Sequence, residues 1–144
     1  MSWELYFSQG IAYANSRMGN DSDLKSLQSY SSAIVFMPDS VDSNNLKARL
    51  YIYRGALLKR LNRLKEAEND IKMGLVYASE EYEINDGLYN LACVYAMQSR
   101  KIEYSEIAKQ LKNNCDSKFN YLLRRLRTYP KNNKCYFTSM TDPL

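Results

Sequence analysis

The sequence predicts an all-α protein, a solenoid of helix–turn–helix repeats with about seven helices. Three observations lead there. Glycine and proline are scarce, 5 and 3 in 144 residues, too few for a chain that must turn often between strands. Apolar residues recur at three- and four-residue intervals along most of the chain, the period of a helix with one buried face. Residues that break helices, such as Gly19, Pro38 and Asn62, punctuate that pattern, and no alternating strand pattern competes with it.

The first helix runs from Trp3 to Met18, with Trp3, Tyr6, Phe7, Gly10, Ile11, Tyr13 and Ala14 on one helical spacing, and ends at Gly19. Asp21 or Ser22 is placed to cap a second helix reaching Phe36, whose stripe is Leu24, Leu27, Tyr30, Ala33 and Ile34. Pro38 stops it. Ser43 or Asn44 opens a third helix carrying Leu46, Leu50, Tyr51, Arg54, Gly55 and Leu58, with a turn near Asn62. Residues 64–78 form a fourth, with Leu64, Ala67, Ile71 and Leu75 on one face. A fifth runs from Glu81 to Gln98, a sixth from Lys101 to Asn113, and a basic seventh from Ser117 to Thr128. Tyr129-Pro130 ends it, leaving 129–144 as a tail.

The length suits one domain, here 1–128 followed by that tail. No window holds the roughly 20 apolar residues that cross a bilayer, and "MSWELYFSQG" lacks the pattern of a secretory signal. Cys93, Cys115 and Cys135 are an odd set without close spacing, so a reducing, cytoplasmic setting is expected and no membrane association. Without a signal, the Asn20-Asp21-Ser22 glycosylation triplet carries no weight.

The chain has no histidine. Ser-His-Asp and Cys-His catalysis are therefore impossible within it, and the commonest acid–base group near neutral pH is missing. Three scattered cysteines cannot supply a four-ligand zinc site without carboxylates. The "NDSD" turn, Asn20 to Asp23, lacks the later Gly and Glu of a calcium loop and reads as a helix N-cap. Glu66/Asp70 and Glu103/Glu106 read as solvated charges on outer helix faces. No enzyme activity, cofactor or metal is expected.

Aligned on a small residue four after a large one, the helix pairs repeat. Tyr6, Gly10 and Tyr13 match Tyr51, Gly55 and Leu58, and then Leu88, Ala92 and Tyr95. In the second helix of each pair, Ser26, Tyr30, Ala33 and Pro38 match Ala67, Ile71, Gly74 and Ser79, and Tyr104, Ala108 and Leu111 follow. This pattern resembles the tetratricopeptide repeat, a 34-residue helix–turn–helix unit with small residues where its helices touch. The resemblance covers repeats at about 3–38, 48–81 and 85–114, with a capping helix at about 117–128. The spacings depart from 34: Gly10 to Gly55 is 45 and Gly55 to Ala92 is 37. The extra residues are assigned to the turns "MGNDSDLK", "VDSNNLK" and "EEYEIN", and Tyr104 stands where a small residue belongs.

In that family the first helices of the pairs line a concave groove that holds a partner's segment. The resemblance places Phe7, Ile11, Ala14 and Asn15 on the groove, then Arg49, Ile52, Tyr53, Ala56, Lys59 and Arg60, then Asp86, Tyr89, Asn90, Cys93, Ala96 and Met97. The implied partner is a protein or peptide with apolar anchors and acidic groups for Arg49, Lys59 and Arg60, so the implied function is that of an interaction scaffold or adaptor. The family's carboxylate clamp is absent, since Phe7, Ile11, Tyr53, Asp86 and Asn90 replace its cations and amides.

Charge is uneven. Residues 1–116 carry 14 Lys and Arg against 15 Asp and Glu, and residues 117–144 carry 6 against 1. That basic segment, with Arg124, Arg125 and Arg127 among aromatics, has two readings: contact with an anionic partner such as nucleic acid, or an amphipathic cap whose Phe119, Leu122, Leu123 and Leu126 face the last repeat. Self-association through an exposed helix face is a further alternative.

Overall fold

The computed structural model describes residues 2–16, 18–40 and 43–114. They form six helices: α1 (Trp3–Ser16), α2 (Asn20–Phe36), α3 (Asn44–Arg60), α4 (Leu64–Tyr77), α5 (Glu81–Met97) and α6 (Lys101–Asn113). The described residues contain no strand, so the fold is all-α, as the periodicity predicts. The expected seventh helix and the tail lie outside the described residues. No helix among the described residues is long and apolar enough to cross a membrane.

Consecutive helices form hairpins, α1 on α2, α3 on α4 and α5 on α6, and α5 also packs on α3. Missing side chains set the hairpin spacing. A Cβ on Gly10 would lie 2.5 Å from the Tyr30 ring of α2. Helices α3 and α4 meet at two such points. A Cβ on Gly55 would lie 2.6 Å from Ile71 Cγ1 and 3.2 Å from the Ala67 carbonyl oxygen. On Gly74 it would lie 2.6 Å from Ile52 Cγ1 and 3.0 Å from the Ala48 carbonyl oxygen. Each glycine thus admits the partner helix's backbone, and the buried Ile52 and Ile71 fill the space beside it. In the third hairpin Ala92 is fully buried, and so is Tyr104, the large residue at a small position.

The residues beyond a 34-residue repeat lengthen helices instead of turns. Helices α2, α3 and α5 each have 17 residues. The "VDSNNLK" stretch runs into α3, which starts at Asn44, ahead of the expected unit boundary at 48. All of "EEYEIN" except its first residue, Glu80, lies inside α5, which starts at Glu81 as expected, ahead of the repeat boundary at 85. Helix α1 stops at Ser16, and α2 starts at Asn20, so Asp21 and Ser22 occupy its first turn and do not cap it. Gly19, at φ 92°, makes the turn between them in the region that side chains disfavour.

Ion pairs tie the hairpins together. Arg54 of α3 donates to both carboxylate oxygens of Asp70 on α4, at 2.6 and 2.8 Å, and to Ser31 Oγ of α2 at 3.2 Å. Asp70 is therefore buried, and the solvated role expected of it is corrected: a bidentate guanidinium replaces its water. Glu68 of α4 is buried as well, 2.8 Å from Arg100 and 2.9 Å from Lys72. Burial alone would raise its carboxyl pKa, but hydrogen bonds from Lys72, Arg100 and Tyr95 outweigh that and bring it down to about 2.

Two predictions follow from these contacts. Gly55→Ala should destabilise the fold by ~1–3 kcal/mol in urea unfolding, because overpacking against Ile71 and the Ala67 carbonyl exceeds the gain in helix propensity. For Glu68 the folded pKa lies below the ordinary glutamate value of 4.5, so its contribution is complete above that pH and is lost as pH falls toward 2. Wild-type stability should drop over that window by about 2 kcal/mol more than in Glu68→Gln, measured by denaturation at several pH values.

Candidate functional site

Helix α5 lies directly on α3, whereas α1 stands further from α3, and that difference opens a groove. Aromatic rings occupy its base: the Phe7 centroid lies 6.1 Å from Tyr30 and 5.8 Å from Tyr53. Above the buried Phe7, a cavity of about 280 Å³ is lined by Ile11, Ala14 and Asn15 of α1, by Tyr53, Ala56, Leu57 and Arg60 of α3, and by Tyr30 of α2. Tyr30 and Leu57 are buried and form the floor, while Ile11, Ala14, Tyr53 and Ala56 are partly exposed walls. Two alanines at wall positions leave room that larger side chains would fill.

The polar groups of this groove are largely fixed in place. Arg60 donates to both Asp23 oxygens, at 2.6 and 3.1 Å, and to the Ala14 carbonyl oxygen at 3.2 Å, closing one end. That contact also satisfies a carbonyl in the last turn of α1. Burial, then a hydrogen bond to Tyr82, pushes the Tyr53 phenol up to about 12. Burial likewise takes Tyr30 to about 12, against the opposing effects of Ser26 and Arg60. Both phenols stay neutral at any ordinary pH, so the cavity offers apolar surface and neutral hydroxyls.

Of the residues that the resemblance placed on a groove, Phe7, Ile11, Asn15, Tyr53 and Arg60 converge here, with Phe7 below the surface. Ile52 does not. It is 1% exposed and packs against Gly74, because one residue's rotation on a helix turns it from the groove wall into the α3–α4 contact. The remaining positions lie along the α3–α5 seam, which is closed. Buried Lys59 donates to Asn90 Oδ1 at 3.0 Å and sits 5.8 Å from the Tyr89 ring centroid. Asn90 Nδ2 donates to the Asp86 carbonyl oxygen at 2.9 Å, and Tyr89, Asn90 and Cys93 are all buried. At the other end of the seam Arg49 Nε donates to Glu83 Oε1 at 3.2 Å, and Glu83 is 2% exposed.

The expected cationic band is thus engaged within the fold: Arg49 with Glu83, Lys59 with Asn90 and Arg60 with Asp23. Arg124, Arg125 and Arg127 lie outside the described residues. Sequence reasoning missed Tyr30 and Leu57 as the groove floor. The signal for Tyr30 was present, since a large ring must lie opposite Gly10 when the helices approach that closely. Compared with protein-family models, curated proteins and solved structures, the chain matches none.

The seam yields a direct test. Arg49→Glu would set a second carboxylate against the buried Glu83, so it should cost ~2–4 kcal/mol of stability in chemical denaturation. A variant as stable as wild type would show that the Arg49–Glu83 contact does not hold α3 to α5.

Proposed function

We propose that this chain is a protein-interaction module of the tetratricopeptide type, and that the α1–α3 groove seats an apolar side chain from a partner's segment. The glycine contacts at Gly10 in the first helix pair and at Gly55 and Gly74 in the second support the repeat assignment. The observation that carries the binding reading is the groove itself. It is a preformed, mainly apolar cavity walled by Ile11, Ala14, Tyr53 and Ala56, with its one cation, Arg60, already held by Asp23. Burying one leucine-sized side chain there would contribute about 1.5–3 kcal/mol, and rigid helical walls lose little entropy on binding. An acidic group on the partner is not needed, because the nearby cations already have partners. Asn15, an exposed lining residue, is placed to orient the segment's backbone.

Ala56→Trp fills the cavity from a partly exposed position and should leave the melting temperature within a few degrees of wild type. Peptides selected from a random library on the wild-type protein should carry an apolar anchor. Their affinity for Ala56→Trp should fall tenfold or more, about 1.4 kcal/mol or greater. Selected peptides that bind both proteins equally would rule out this groove as the binding site.

A further inference from the structure

We infer that the outer face of α2 pairs with the same face of a second copy of this chain, antiparallel about a two-fold axis. Among the described residues nine large apolar side chains are exposed, and five of them, Leu5, Met18, Leu24, Val35 and Phe36, belong to the first hairpin. Helix α2 is covered on two sides. Toward α1, Ser26 Oγ donates to the Gly10 carbonyl oxygen at 2.6 Å and Ser29 Oγ to Gln9 Oε1 at 3.0 Å. Toward α3, Asp23 and Ser31 accept from Arg60 and Arg54. At about 100° per residue, the side left over carries Leu24, Gln28, Ser32 and Val35, flanked by Lys25 and Phe36. Leu24, Val35 and Phe36 are 53%, 74% and 59% exposed. An apolar surface concentrated in this way marks an interface.

The face complements itself when turned end for end, as a two-fold contact requires. Asp21 and Lys25 pair with each other at 3.4 Å near its start, and no charge follows between Lys25 and Phe36. Two copies crossing at Gln28 and Ser32 therefore meet no like charge there, and the small Ser32 lets the helices approach. Leu24 of each copy then lies against Val35 of the other, and Lys25 beside the other's Phe36 ring. Lys25 already makes such a contact in its own hairpin, 5.9 Å from the Tyr13 centroid. The Phe36 ring is stacked on Tyr6 at 5.7 Å, so it loses little freedom on pairing. The two Lys25 side chains stand about 15 Å apart along the axis, beyond the ~10 Å screening length. Helix α2 is about 25 Å long, and with the edge of α1 the face is about 20 Å wide, or about 500 Å² per copy. That total of ~1,000 Å² suits a weak specific dimer, with a Kd in the micromolar range. The α1–α3 groove lies on another side of the hairpin, so pairing neither needs nor blocks it.

Sedimentation velocity of the full chain, taken to about 200 µM, should show the mass of two chains. Phe36→Lys sets a second cation against the partner's Lys25, and Leu24→Lys removes the apolar pair with Val35. Each lies at an exposed position, so each should weaken the dimer tenfold or more with the helical circular dichroism unchanged. Ile102→Lys, exposed on α6, and Ala56→Trp, in the groove, should leave the dimer as it is. In a chain carrying Cys115→Ser and Cys135→Ser, Gln28→Cys should be joined to its copy by bismaleimidoethane, since Cys93 is buried. A chain that stays monomeric at that concentration, or a dimer that survives both lysines on α2, would overturn the inference. So would a dimer that Ile102→Lys or Ala56→Trp disperses, or a dimeric Gln28→Cys protein that does not cross-link.

Discussion

The structure depends on backbone-to-backbone contact between paired helices at positions without a side chain. Gly55 against Ile71 and the Ala67 carbonyl, and Gly74 against Ile52 and the Ala48 carbonyl, fix α3 on α4 at two points along their length. Two fixed points set both distance and crossing, which one contact could not do. With α3 so placed, Ile52 and Ile71 must lie in the core, and the neighbouring residues on α3 turn to other partners. The groove beside α1 exists because the first hairpin packs on α3 through α2, while α1 stands off and meets α3 through the Phe7 and Tyr53 rings.

Helix α3 is also the electrostatic centre of the stack. Its three arginines reach in three directions: Arg49 to Glu83 on α5, Arg54 to Asp70 on α4 and Ser31 on α2, and Arg60 to Asp23 on α2 and the end of α1. Each carboxylate so held is buried, and a buried carboxylate is stable only with such a partner. These pairs therefore act as register constraints between helices. They also leave the α1–α3 groove with little unspent charge, which is why its chemistry is apolar.

Much of the fold was legible in the sequence because packing imposes a period. The small-after-large spacing at Gly10, Gly55 and Ala92 follows from close helix contact, and all three are buried. The helix limits near 60, 64, 97 and 101 follow from turn residues such as Asn62, at φ 62°. The charges were not legible. Nothing local to Asp70 or Asp23 shows that an arginine 16 or 37 positions away will neutralise it, so the first read as a solvated charge and the second as part of an N-cap turn. The groove was half legible for a geometric reason: a shift of one residue rotates a side chain by about 100°, enough to send Ile52 into the core while Tyr53 stays on the wall. The closure of the α3–α5 seam depends on Lys59 reaching Asn90, 31 positions on, and no helical period encodes that.

The contact at Gly55 is most directly tested by a double-mutant cycle pairing Gly55→Ala with Ile71→Ala. If Gly55 lies that close to the Ile71 side chain, the space left by Ile71 accepts the new methyl group, and the double variant should be more stable than the two single losses predict by roughly 1–2 kcal/mol. Additive losses, agreeing within about 0.5 kcal/mol, would contradict the close approach on which the helix stack is built.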